Sequence, residues 1–151
     1  KMSITPNMIE CDFIVISEDY SRYLLQDGTT LKVKIVVKKI FRSVETTPEG
    51  YPIAISFDSS NAVAAIVPPS EKGKPSKEPW DPRRDVGKEI KFETKEEKWQ
   101  EYVTHDGFKI LVKPIVVKVL KYEKRNKYGE PVYAVNVQAI TNIEKFTSTA
   151  T

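Results

Sequence analysis

Chemistry is scarce in this chain. Cys11 is the only cysteine and His105 the only histidine. A single cysteine excludes an internal disulfide and a cysteine-based zinc site. A single histidine removes most zinc and histidine-based catalytic designs. No phosphate loop, dinucleotide fingerprint or nucleophile elbow occurs, and no pair of carboxylates has a defensible catalytic spacing. No cofactor and no metal is expected, and the expected class is non-enzymatic. No apolar run reaches the length of a membrane span, so no membrane partner is expected. Residues 2–12 contain polar and acidic residues and do not read as a signal peptide. Met2 reads as the initiator, and the chain as soluble and cytoplasmic.

Amphipathic helical periodicity is missing too. Residues 95–98 could form one helical turn, too short to count as an element. Charge is plentiful but nearly balanced: 24 Lys and Arg against 21 Asp and Glu give a net charge of +3. Such an excess permits an anionic partner without demanding one. Lys and Glu abound while Asn and Gln are few, a balance that leans toward a thermophilic source.

What the chain does contain is repeated β structure. Residues 30–42, TLKVKIVVKKIFR, return as residues 109–121, KILVKPIVVKVLK. Asp27-Gly28 precedes the first copy and Asp106-Gly107 the second, an offset of 106 − 27 = 79. The same offset carries Phe13 onto Phe92, Tyr23 onto Tyr102, Gly50 onto Gly129 and Pro52 onto Pro131. The expectation is an all-β, tandemly duplicated, pseudo-twofold fold of hairpin or meander units, closed as a small barrel or sandwich. Repeat one spans residues 10–67 and repeat two residues 89–146, around a shared core, because about 65 residues alone would be marginal. Residues 68–88, with five prolines and two glycines, form a Pro-rich connector that few contacts should depend on. The architecture is similar to small β barrels in general, a likeness that carries no function.

In chain order, residues 2–9 read as a loose arm and residues 11–17, CDFIVIS, as a strand buried on both faces. Each Asp-Gly reads as a two-residue hairpin loop with positive φ at both positions. That register puts Leu24 opposite Leu31, Arg22 opposite Val33 and Tyr20 opposite Ile35. The core face is then Tyr20, Leu24, Leu31, Val33, Ile35 and Val37, matched by Trp99, Val103, Ile110, Val112 and Val116. Pro114 implies an edge or a bulge. Loops fall near residues 46–51 and 125–130. Return strands follow at 52–57 and 131–137, and last strands at 62–67 and 139–146. Residues 147–151 read as a polar tail.

Two surfaces invite partners. Leu111, Ile115, Val117 and Val119 make a second face too apolar for water, to be covered by another part of the chain or another subunit. Trp80 in the connector either caps an apolar groove or anchors a protein partner. Self-association or a protein partner is the first expectation. The alternative is single-stranded nucleic-acid binding on Lys32, Lys34, Lys38 and Arg42 with Tyr23 as a stacking platform, weighed against an ordinary solvated face. Lys39 and Lys118 either line an anion-binding cleft or snorkel to water. His105-Asp106 reads as a hairpin tip rather than a base, and Cys11 as a small core hydrophobe.

Overall fold

The computed structural model describes residues 7–145. Residues 2–6 of the expected arm and the expected tail at 147–151 lie outside them. The chain is all-β. Its strands are β1 (Met8–Cys11), β2 (Phe13–Ser17), β3 (Ser21–Leu25), β4 (Thr30–Ser43), β5 (Ile55–Ile66), β6 (Lys88–Glu89), β7 (Phe92–Glu96), β8 (Gln100–Thr104), β9 (Phe108–Arg125) and β10 (Pro131–Lys145). A 3-10 turn spans Pro69–Glu71. Valine and isoleucine are the commonest apolar residues of β4, β9 and β10, as a half-buried pleated surface favours.

Two antiparallel sheets result. In sheet A, β5 runs along one side of β4 while β3 and β1 share the other, and β7 lies outside β3. In sheet B, β10 runs along one side of β9 while β8 and β6 share the other, and β2 lies outside β8. Neither sheet closes on itself, so the barrel alternative fails. Met8 and Ile9 belong to β1 rather than to a loose arm. The separate return and last strands are single long strands, β5 and β10.

The pairing crosses the middle of the chain. β2 comes from the first half but pairs with β8, and β7 comes from the second half but pairs with β3. One cluster contains Tyr23, Leu25, Leu31 and Val33 together with Val116 and Val119. The other contains Tyr102, Ile110 and Val112 together with Ile35, Val37 and Ile40. Each cluster thus joins the hairpin of one half to the long strand of the other.

The hairpin loops correct the expected register. Leu25 N–H donates to Thr29 O, and Gly28 N–H donates back to Leu25 O at 3.0 Å. The loop is therefore three residues, Gln26-Asp27-Gly28, and only the glycine takes positive φ, +89°. Thr104, Gly107 and Phe108 repeat the arrangement, with Gly107 at +93°. One residue of slip turns every β3 and β8 side chain to the opposite face. Ser21, Tyr23 and Leu25 point inward, fully or almost fully buried, and so do Gln100, Tyr102 and Thr104. Tyr20, Leu24, Trp99 and Val103 do not line the core; Trp99 is 42% exposed.

The inward set on β4 is Leu31, Val33, Ile35 and Val37, and on β9 Ile110, Val112, Pro114 and Val116. A one-residue bulge then reverses the alternation. It leaves Lys38 unpaired in β4 and Val117 unpaired in β9, so Ile40 and Val119 become the next inward residues. Pro114 is not the bulge. It sits where β9 has lost β8 and not yet gained β6, a local edge where a missing N–H costs nothing.

Candidate interaction surfaces

Sheet B carries several apolar residues among charged ones on its outer side, and an apolar free edge. On the outer side Leu111 and Ile115 are only partly covered, and Ile140 of β10, paired with Lys113, is exposed. Ile14, paired with Val103, continues this surface to the edge strand β2. There Ile14, Val15 and Ile16 are 57%, 52% and 51% exposed. This corrects the expectation that residues 11–17 are buried on both faces. Only Cys11 is buried, and Phe13 packs edge-on against Tyr102 at 5.8 Å. Of the other expected interface residues, Val119 faces the core because of the bulge, and Val117, at the bulge itself, is 48% exposed. Nothing in the sequence marks β2 as exposed: a short continuous apolar run looks the same at a sheet edge as in a sheet centre.

Sheet A presents different chemistry at matching places. Lys32 stands where sheet B has Leu111 (111 − 79 = 32), and Lys34 matches Lys113. Tyr20 lies between the two cations, 4.8 Å from Lys32 Nζ and 4.9 Å from Lys34 Nζ. Trp99 is used the same way by Lys113, at 4.9 Å. The aromatic on the lysine face is therefore Tyr20. Tyr23 is not available for stacking on a base: it is buried, and its hydroxyl donates to Glu97 at 2.9 Å. Burial and the Glu97 carboxylate push that hydroxyl well above its usual pKa. Arg42 is also committed, ion-paired to Asp106 and donating to Ser43 O at 2.9 Å. Lys34 lies 4.0 Å from Glu18, while Lys38 is exposed at the bulge.

The hairpin tips are fastened by ion pairs between halves. Asp106 takes Arg42, as above, and also accepts from Thr104 Oγ1 at 2.6 Å. Burial raises its pKa, but these partners prevail and hold it below the usual carboxylate range. Asp27 takes Lys121 at 2.9 Å and the Tyr133 hydroxyl at 2.5 Å. Burial again acts upward, yet the Tyr133 and Lys121 bonds bring Asp27 down to about 2. Tyr133, half-buried beside that anion, rises to about 12. Lys121 is shared with Glu71 of the connector.

The connector is docked rather than free, contrary to the expectation that few contacts depend on it. Gly73 N–H donates to Gly129 O at 2.8 Å, and Arg125 reaches the Glu71 and Gly129 carbonyls. Lys124 meets Asp85 at 3.3 Å. Trp80 packs edge-on against Tyr122 at 5.4 Å with its indole Nε1 buried, so it caps a groove of its own chain. Lys39 and Lys118 form no cleft: each is turned outward beside its bulge, 3.6 Å from Glu10 and 3.9 Å from Glu89 respectively. His105 is an exposed tip residue, 3.3 Å from Asp12. Cys11 is buried with its thiol pKa raised by burial and by Asp106.

No family model matches the sequence, and comparison with curated proteins and with solved structures finds no match. No helix among the described residues is long and apolar enough to cross a membrane.

Proposed function

We propose that the chain is a duplicated, pseudo-twofold β unit that acts as a non-enzymatic binding and assembly module, self-associating through the outer side and edge of sheet B. The two repeats, residues 10–67 and 89–146, share one core and are joined by 68–88. Duplication is supported by pairing that repeats at the offset of 79. Ser21↔Val33 becomes Gln100↔Val112, and Glu10↔Phe41 becomes Glu89↔Leu120. The exchanged pair Phe13↔Thr104 becomes Phe92↔Leu25. The bulges at Lys38 and Val117 and the ion pairs Arg42–Asp106 and Lys121–Asp27 obey the same offset.

The observation that carries the function is where this symmetry fails. Sheet A carries a partly covered Lys32 where sheet B carries a partly covered Leu111. The edge β7 carries Glu93, Lys95 and Glu96 where β2 carries Ile14, Ile16 and Ser17. Charges along an edge protect a sheet from association, and β2 lacks them; the outer side of sheet B keeps Lys113 but has Leu111 in place of the second lysine. The test is mass in solution by light scattering, for the parent and for Leu111→Lys. Lys32 occupies the matching place, so the fold accepts that lysine. The parent should exceed the chain mass of 17.2 kDa, and the variant should fall toward it with unchanged thermal unfolding. A parent at the monomer mass throughout would refute self-association.

Tyr20 set between Lys32 and Lys34 favours a second reading, single-stranded nucleic-acid binding on sheet A. With Arg42 committed elsewhere, Lys32, Lys34 and Lys38 are left to track a phosphate backbone. The slope of log affinity against log salt should be about −2, from roughly −0.7 per contact. Tyr20→Ala should cost about 1–3 kcal/mol, one stacked base. A labelled oligonucleotide that does not bind at low salt, or that Lys34→Glu leaves bound, would exclude this reading.

A further inference from the structure

The geometry points to antiparallel pairing of β2 with β2 of a second copy, an inference that rests on the assembly reading above. β2 has β8 on one side and no strand on the other among the described residues, so one row of its backbone N–H and C=O groups faces no strand, and of these the Phe13 N–H donates to its neighbour Asp12 Oδ1 at 2.9 Å. Such a row is a template for one kind of occupant, another extended strand. This fold already accepts antiparallel strands added at its edges, because β2 sits on β8 and β7 on β3 in that way.

The chain supplies its own control. β2 and β7 carry the same irregularity: a register shift skips Ile16 in β2 and Lys95 in β7. An edge bulge bearing a lysine is a device against unwanted pairing. β7 keeps the lysine and flanks it with Glu93 and Glu96; β2 keeps the bulge but carries isoleucine.

A second copy fits this edge. Residues 13–17, FIVIS, are uncharged and self-complementary. An isologous pairing centred on Val15 sets Ile14 against the other copy's Ile16 and brings together three side chains that are each half exposed. It also extends the outer side of sheet B, where Ile14 adjoins Val103. The opposing term is at the ends, where Asp12 would approach the other copy's Glu18. Glu18 is mostly covered, accepts the Tyr102 hydroxyl at 2.8 Å and lies 4.0 Å from Lys34, while Asp12 lies 3.3 Å from His105. Glu18 thus has a local cation, and salt screens what remains. Added salt should therefore strengthen this association, the reverse of its effect on phosphate binding.

Sedimentation over a concentration series tests the pairing in three proteins: parent, Ile16→Lys and Ile14→Glu. Each substitution copies the residue β7 carries at that place. The parent should reach 2 × 17.2 = 34.4 kDa, and both variants should stay at 17.2 kDa with unchanged unfolding. A parent that dimerises while the variants dimerise equally well would overturn strand pairing and leave assembly standing. A parent that never leaves the monomer mass would overturn both. Should a variant fail to fold, amide exchange in the parent decides: residues 13–17 must exchange several-fold more slowly in concentrated than in dilute protein. Equal rates would overturn the pairing.

Discussion

Gln100 should be among the most costly single residues to lose. Its side chain is completely buried and stands in for a missing strand. Between β3 and β1 the middle of β4 has no strand partner on that side. The Gln100 carboxamide crosses from sheet B and satisfies it twice. Ile35 N–H donates to Oε1 at 2.9 Å, and Nε2 donates to Ile35 O at 2.6 Å. Gln100→Ala would leave both backbone groups unpaired in the core, at about 1–3 kcal/mol each. The side-chain volume lost adds a cavity. A total of about 3 kcal/mol, at a denaturant slope of about 2 kcal/mol per molar, lowers the urea midpoint by about 1.5 M. The proposed duplication accounts for the glutamine. Ser21 matches Gln100 and Pro114 matches Ile35, and a proline has no N–H to satisfy. Ile35→Pro should therefore reduce the cost of Gln100→Ser by about 1 kcal/mol, the N–H share of the loss. Urea unfolding of the two single variants and the double variant measures this coupling. Strictly additive costs, or a Gln100→Ala loss below about 1 kcal/mol, would refute the assignment.

Asp27 gives stability a pH dependence with a definite sign. Its folded pKa of about 2 lies below the ordinary 3.8, so its contribution of about 2 kcal/mol is complete above pH ~4 and is lost as pH falls toward 2. Asp27→Asn should flatten the urea midpoint over that window. Gly129→Ala should destabilise more than Gly50→Ala. Both positions have positive φ, but a Cβ at 129 would overlap the Gly73 carbonyl of the docked connector, whereas at 50 it meets only the Lys145 side chain. Equal losses in melting temperature would mean the connector moves aside freely. Cutting the chain after Lys77 should give fragments that are unfolded apart and regain β circular dichroism when mixed, because β2 and β7 are exchanged. A fragment that unfolds cooperatively alone would contradict the shared core.

The long strands were legible because alternation of valine and isoleucine with lysine over a dozen residues has one reading. The short strands were not, and the reason is one residue of loop. Asp-Gly serves a two-residue loop, with both residues at positive φ, and equally the end of a three-residue loop in which only glycine needs it. A warning was present: the two-residue register aims Arg22 and Glu101 at the core. The three-residue register turns both outward and buries Tyr23 and Tyr102 instead. That slip moved the stacking aromatic from Tyr20 to Tyr23 and hid the role of Gln100. The bulges were unreadable for another reason. Lys38-Lys39 suggests one, but Val117 in the second copy keeps the apolar pattern running straight through it. Edge status was unreadable altogether, since it depends on which strand a segment fails to meet.

The exchange of β2 and β7 also bears on where the two halves agree and where they differ. Tyr23 reaches Glu97, and Tyr102 reaches Glu18, each across the boundary between halves. Asp27 and Asp106 do likewise with Lys121 and Arg42. A change at any of these positions strips a buried or partly buried group of its partner, so on the proposed duplication both copies are held to one solution there. Outer sides and free edges carry no such obligation. They are where leucine stands in one half and lysine in the other, and isoleucine in one and glutamate or lysine in the other, as the proposed division between a solvated side and a contact side requires.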